Sequence, residues 1–221
     1  HLQEVYEICD TVTVFRDARH ILTAPVAELP QERLVDAMTG EAARLVQENT
    51  RAKLPQTASI VLEVDGLTQQ GVYDDISFHV RSGEIVGLAG SAGSGKLGVA
   101  QRIVGLASSD SGTVEVAGTR PKVGSVPSAL AAGVGLVPQD RHREGTVPLL
   151  SIGENLTMTV PDKIGAHGFI DPRRRGRVAR ELNERLNVKT PGPDLAVSAL
   201  SGGNQQKVVL GRALASDPKV L

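Results

Sequence analysis

The chain has 221 residues, about 40% of them apolar, and its 24 Lys and Arg nearly cancel its 25 Asp and Glu, which is the size and mix of an ordinary α/β protein of one or two domains. With no Trp, two Tyr and three Phe, core packing falls to Val, Leu, Ile and Ala, and the near-neutral charge gives no electrostatic reason to expect nucleic acid as a partner. No apolar run approaches the roughly 18 residues of a membrane span, Leu130 to Pro138 being too short and too glycine-rich, so the chain is not expected to be a channel itself.

Leu2 to Ile8 places apolar residues at Leu2, Val5, Tyr6 and Ile8, the spacing of a helix. The β-branched run Thr11 to Phe15 predicts a strand ending at Arg16-Asp17. A second short apolar segment follows, then a helix over Gln31 to Met38 stopped by Gly40. Residues 1–43 are therefore expected to be the tail of a domain whose body lies upstream, and both chain ends are expected to be cut. Cys9, the single cysteine, is expected to be a buried apolar side chain in a reducing compartment. Residues 44–58, with Gln47 to Arg51 and then Pro55, have the composition of a linker.

A new domain is expected from Ser59. Strands are predicted at Ile60 to Val64 and Ile76 to Val80, and Gly83 to Ala89 predicts an apolar strand running into a glycine-rich loop. Lys96 to Val104 then predicts a helix with Gly105 at its end. Val134 to Gln139 predicts a further strand. Ser151-Ile152-Gly153-Glu154 has the spacing of a capping box. Asp171-Pro172 offers a cap followed by proline at the first helical position, with Val178, Leu182 and Leu186 on one face. A mostly helical insert is expected over about 148–200.

Gly90-Ser91-Ala92-Gly93-Ser94-Gly95-Lys96 fits the glycine, four spacers, glycine, lysine pattern of a P-loop. Glycines let the backbone wrap a phosphate with its amides inward, the following helix adds its positive end, and Lys96 would reach the terminal phosphates. The pattern departs at the next position. Ser or Thr there would place a hydroxyl on Mg²⁺, whereas Leu97 offers a hard cation nothing, so the loop is expected to bind nucleotide weakly or to hold it without efficient hydrolysis.

Leu200-Ser201-Gly202-Gly203, then Asn204-Gln205-Gln206-Lys207 and a helix-prone segment to Ala215, puts a serine and two glycines at a helix start. Such an end presents a hydroxyl and bare amides to an anion, or is a serine-capped helix after a tight turn. Asp140 to Gly145 is by itself an ordinary solvated charge run. Arg173 to Arg175, with Arg177 and Arg180, is expected to be a solvated helix start, and His20, His79, His142 and His167 show no metal-ligand spacing.

Together these motifs resemble the ATPases of ABC transporters, an α/β P-loop NTPase cassette with a RecA-like core, an antiparallel β subdomain and a helical insert. The resemblance implies that Leu200 to Gly203 is the family's signature and Gln139 its Q-loop glutamine, which senses Mg²⁺ and the γ-phosphate and links them to the membrane partner. Two such cassettes pair head to tail. Ser201, Gly202, Gly203 and Gln205 would then act on ATP held by the opposite site, while Gly90 to Leu97 belongs to this cassette's own. The Asn204 to Lys207 ending, the Gln139-Asp140-Arg141 segment with Arg143 and Gly145, and the tail at residues 1–43 resemble the fused double cassettes of bacterial ribose, xylose and galactoside importers, with 59–221 as the second cassette.

That resemblance implies an ATP-binding, energy-coupling subunit of the translocase class at the cytoplasmic face of the cell membrane. Its cofactors would be ATP and Mg²⁺. Its partners would be integral membrane permease subunits, the first cassette of the same chain and, indirectly, a solute-binding protein, with no nucleic acid. Import of purine nucleosides, or a soluble ABC ATPase acting on ribosomes or DNA, are the alternatives. Asp217 to Leu221 stands where the family's Walker B strand begins, so the catalytic Glu is not in the chain, which is expected to be inactive alone. Tyr73 is the nearest candidate for stacking on adenine, a core or surface role being at least as good.

Overall fold

The computed structural model describes residues 2–16, 18–39, 57–166 and 168–221. The expected stop at Gly40 and most of the linker lie outside them. The chain divides into two compact units, His1–Leu54 and Pro55–Leu221.

In the first unit, α1 (Leu2–Ile8) precedes an antiparallel hairpin of β1 (Thr11–Arg16) and β2 (Arg19–Pro25), and α2 (Gln31–Thr39) follows. Val14, Leu29, Leu34 and Ala37 form a small buried core. Tyr6 Oη donates to the Leu29 carbonyl at 2.8 Å, and Arg16 Nη1 donates to the Ala37 carbonyl at 3.0 Å, satisfying a backbone acceptor in the last turn of α2. Cys9 is exposed, contrary to the expectation of a buried thiol. It follows the last residue of α1 and is not among the side chains of that small core.

In the second unit, β3 (Ile60–Gln69) is the centre of a three-stranded antiparallel sheet between β4 (Tyr73–Arg81) and β5 (Ser111–Val116). A bulge between Val64 and Leu67 brings Gly66 against Gly112, where a Cβ would stand 2.4 Å from the Gly66 carbonyl oxygen. Leu62, Val64, Leu67, Val114 and Val116 form a core with Val99 and Ile103 of α3 (Lys96–Ile103) and Ala129 and Ala132 of α4 (Val126–Ala132). The sheet therefore supports the helix that leaves the glycine loop.

Two predicted strands are not formed. After the turn at Gly83, residues 84–90 form no strand, and Ile85 is 93% exposed. Of Val134 to Gln139 only Val134 joins a partner strand, by a parallel bridge to Val220. Apolar β-branched sequence supplies the propensity, but a strand needs hydrogen-bonding neighbours, and among the described residues these segments have none beyond that bridge.

The helical region contains α5 (Ile152–Thr157), α6 (Pro161–Ile164), a short hairpin of β6 (Gly165–Ala166) and β7 (Phe169–Ile170), and α7 (Pro172–Arg185). Its local signals form as predicted. Ser151 Oγ accepts the Glu154 amide at 3.2 Å while Glu154 Oε2 accepts the Ser151 amide at 2.9 Å. Asp171 Oδ1 accepts the Arg173 amide at 2.8 Å, with Pro172 opening α7. Buried Leu182, with Val178 and Leu186 beside it, packs on Ile152 and Leu156. This core extends beyond the expected limit at 200, because Val208 and Ala215 join it. Val208 lies on α8 (Gly202–Leu214), where a Cβ on Gly211 would come within 2.5 Å of Leu156 Cδ2 and 2.9 Å of Leu186 Cδ1. Glycine there lets three helices close on one point.

Candidate nucleotide site

The glycine loop is built over β4. Gly93 and Gly95 both sit at φ +82°, a conformation that disfavours any side chain. A Cβ on Gly95 would strike the Val72 carbonyl oxygen at 2.3 Å, and one on Gly98 would touch Tyr73 Cε1 at 3.0 Å. The Tyr73 ring is thus the floor beneath the loop and the first turn of α3. It is only 7% exposed, which makes it a core residue and removes it as a platform for adenine. Its hydroxyl is buried without a hydrogen-bond partner among the described residues. Burial raises its pKa, the Arg102 guanidinium opposes that rise, and Asp110 adds to it.

Within the loop, Lys96 Nζ donates to the Gly90 carbonyl and, at 3.2 Å, to that of Ser91. The Ser94 amide donates to the Ser91 carbonyl at 3.2 Å, and the Ser94 side chain rests on Gly90, where a Cβ would meet Oγ at 2.4 Å. The loop is therefore closed on itself. A phosphate entering it must take Lys96 from two carbonyl oxygens and free the Ser94 amide from the Ser91 carbonyl, both favourable exchanges because an ionised phosphate oxygen is a stronger acceptor than a neutral carbonyl.

Leu97 is 52% exposed. It lines a groove of about 690 Å³ together with Gln101, Leu136, Gln139, Arg141 and Glu144, so the position after the lysine and the exposed Gln139 face one space. Mg²⁺ in that space would need a near-octahedral set of oxygens. Gln139 can offer one amide oxygen and Leu97 none, and among the described residues no cluster of three His, Cys, Asp or Glu could hold a metal. The pair does not fit the ion.

The signature segment is built differently. A 3₁₀ turn, Val197–Ala199, and the buried Leu200 anchor it in the helical core, and α8 begins at Gly202. Ser201 takes the extended conformation of an N-cap, yet its side chain caps no backbone amide. Instead Ser201 Oγ accepts from Asn204 Nδ2 at 3.0 Å, and Asn204 Oδ1 accepts the Lys189 amide at 3.0 Å. Asn204 thus fixes the serine side chain from behind. An ordinary serine-capped helix would use the hydroxyl on the N2 or N3 amide, and this one does not. A Cβ on Gly203 would meet nothing within 4 Å, so the backbone there is open to an approaching group. Gln205 Nε2 donates to the Leu200 carbonyl at 3.0 Å, which turns this side chain back along its own segment, and Lys207 Nζ donates to the Asn187 carbonyl at 2.6 Å.

Asp140, Arg143 and Glu144 are exposed, as a solvated charge run would be, but Arg141 and Gly145 turn inward. Residues Arg141–Gly145 form a π-turn packed on α8, with Gly145 buried and Arg141 partly so. Arg141 is the residue that composition gave no reason to single out. In the sequence it enters only as part of the Gln139-Asp140-Arg141 segment that carries the resemblance, with no role of its own.

Residues 73–221 match the ABC transporter family. The chain belongs to that family. Among curated proteins it is 38% identical over 221 residues to a ribose import ATP-binding protein of Streptomyces coelicolor, covering all of this chain and 42% of that one. It is 38% identical over 228 residues to a xylose import ATP-binding protein of Burkholderia cenocepacia, covering all of this chain and 43% of that one. It is 39% identical over 219 residues to a ribose import ATP-binding protein of Rhodococcus jostii, covering 99% of this chain and 43% of that one. The chain spans about two fifths of the length of the curated relatives it matches.

Among solved structures, a dimeric post-hydrolysis ATP-binding cassette bound to ADP and Pi aligns with TM-score 0.57 and 23% identity over 71% of this chain and 70% of that one. A cassette from Clostridium perfringens, cbiO1, aligns with TM-score 0.58 and 19% identity over 72% of this chain and 62% of that one. The fold is accordingly that of an ABC ATPase cassette. No helix among the described residues is long and apolar enough to cross a membrane.

Proposed function

We propose that this ABC family member is part of the ATP-binding, energy-coupling subunit of a bacterial importer of monosaccharides of the ribose, xylose or galactoside type. The observation that carries the proposal is the signature: Ser201 Oγ is held by Asn204 and spent on no backbone amide, beside the open backbone of Gly203. In this proposal residues 1–43 are the tail of a first cassette, 44–58 a linker and 59–221 the second cassette. Ser201, Gly202 and Gly203 act on the γ-phosphate of ATP held by the first cassette, with Gln205 stiffening the segment through Leu200. Gly90 to Lys96 hold the phosphates of a second nucleotide, and Leu97 makes that site the weaker one for Mg²⁺-dependent hydrolysis. Gln139 lines the same groove and relays its state.

Mechanistically, phosphate charge drawn between one P-loop and the facing signature closes the pair of cassettes. Attack of water in line on the γ-phosphate then removes the charge that held them. Closure is transmitted to integral membrane permeases at the cytoplasmic face, and a solute-binding protein delivers sugar from the other side, so the sugar need not touch this chain. Neither motif here forms a complete site by itself, and the isolated chain is expected to show no ATP turnover.

The test is uptake by proteoliposomes holding the full-length protein and its permeases. ATP-dependent accumulation of ribose, xylose or a galactoside, but not of a purine nucleoside, supports the proposal. Co-sedimentation with ribosomes without permease association would overturn it.

A further inference from the structure

The π-turn that follows Gln139 is fastened to α8 at three levels. At the first residue of the helix, a Cβ on Gly202 would stand 3.0 Å from Arg141 Nη2. Two turns on, a Cβ on Gly145 would stand 3.0 Å from Val209 Cγ2 and 3.1 Å from Arg141 Cβ. Another turn on, Arg212 Nη2 donates to the Glu144 carbonyl at 3.3 Å. Glycines 145 and 202 are what permit the two segments to come this close.

Arg141 is anomalous within this strut. Its Nε is buried with no hydrogen-bond partner among the described residues, and its guanidinium lies on the N-terminal turn of α8, the positive end of the helix. A cation set against a like partial charge is stabilised when an anion arrives between or beside them. Arg141 also lines the groove shared by Leu97 and Gln139. One side chain therefore lies against Gly202 of the signature, which serves one nucleotide, and lines the groove that Leu97 and Gln139 share beside the other.

We propose that Arg141 is a positioning residue that couples the two nucleotide sites of the cassette pair. This rests on the assignment of Ser201 to Gly203 as a γ-phosphate clamp. When the γ-phosphate of the opposing nucleotide reaches Gly202 and Gly203, its charge draws the Arg141 guanidinium, and the π-turn carries the shift to Gln139. Arg141 acts through the signature backbone and through Gln139, and takes no part in bond making.

The test uses the full-length protein assembled with its permeases and compares Arg141→Met, which keeps the packing stem and removes the charge, with Arg141→Lys, which keeps the charge. Removing one charge-assisted interaction from the closed state corresponds to about a tenfold or larger fall in kcat. The expected result is that fall for Arg141→Met, KM for ATP within about twofold, an unchanged Tm, and substantial recovery in Arg141→Lys. A kcat for Arg141→Met equal to wild type overturns the proposal, as does a fall of equal size in both variants. Should Arg141→Met lose stability, Arg141→Gln, polar and uncharged, carries the same expectations. Ser201→Glu, which puts a carboxylate where the γ-phosphate would come, is the companion variant. An inactive Ser201→Glu beside a normal Arg141→Met sinks the coupling role alone, whereas normal turnover in Ser201→Glu sinks the clamp assignment beneath it.

Discussion

Replacing Leu97 with serine tests whether this one position sets the character of the P-loop site. Leu97 is 52% exposed, so the substitution gives up about half of the stabilisation that full burial of a leucine brings, ~1 kcal/mol, and Tm should fall by only about 2–4 °C. Against that small cost stands a new hydroxyl in the groove shared with Gln139. A hydrogen bond or ligand bond to a charged partner contributes about 1.5–3 kcal/mol, which is about 10- to 100-fold in an equilibrium constant.

Calorimetric titration with ATP, once with Mg²⁺ and once with EDTA, reads the difference directly. For the natural chain the two dissociation constants should agree within about threefold, because Leu97 gives the cation nothing. In Leu97→Ser the Mg²⁺ titration should be at least about tenfold tighter than the EDTA titration. A natural chain that already binds ATP about tenfold more tightly with Mg²⁺ would refute the reasoning, as would a serine variant with no change in the ratio.

Three further outcomes follow from the packing and the titrating groups. Tyr73→Phe removes a buried hydroxyl that has no partner among the described residues, so chemical denaturation should show stability equal to or above that of the natural chain, and ATP affinity should not change; weaker ATP binding would return Tyr73 to the site. Gly211→Ala drives a methyl into Leu156 and Leu186 and should cost about 1–3 kcal/mol of unfolding free energy, the opposite of the stabilisation expected from helix propensity alone. The Ser151 hydroxyl and amide, aided by Arg175, hold the Glu154 carboxyl below the usual carboxylate range against a smaller opposing effect of burial. A depressed folded-state pKa gives stability that is present above the unfolded value and lost as pH falls through the folded one. The stability gap between natural chain and Glu154→Gln should therefore be open at about pH 7 and begin to shrink as pH falls below the unfolded value of about 4.3, and a gap that stays constant with pH would refute that assignment.

What the sequence made legible was local chemistry. The Ser151 and Glu154 box, the Asp171-Pro172 cap and the glycine loop are each specified by residues within a few positions of one another, so their partners are fixed by spacing. The segments that departed from expectation depend on distant partners. Gly83 to Ala89 has a strand composition, but nothing in that composition says what would lie beside it. Cys9 was placed by residue preference, which says nothing of how small the neighbouring core is. Tyr73 is decided only by Gly95 and Gly98 closing over its ring, an approach made across more than twenty residues. The contact of Arg141 was hidden for the same reason, since its neighbour Gly202 lies sixty-one positions on.

The two motifs of this cassette also differ in what their resting geometry asks of a ligand. The P-loop has satisfied itself: Lys96 holds carbonyl oxygens and the Ser94 amide is taken, so a phosphate must displace existing bonds. At the signature, Ser201 is oriented by Asn204, Gly203 is open, and the buried Arg141 Nε has no partner among the described residues. A site that leaves polar groups unsatisfied gains more from an arriving anion than one whose groups are already paired. In the proposed pair of cassettes, the signature would therefore respond first to the better nucleotide.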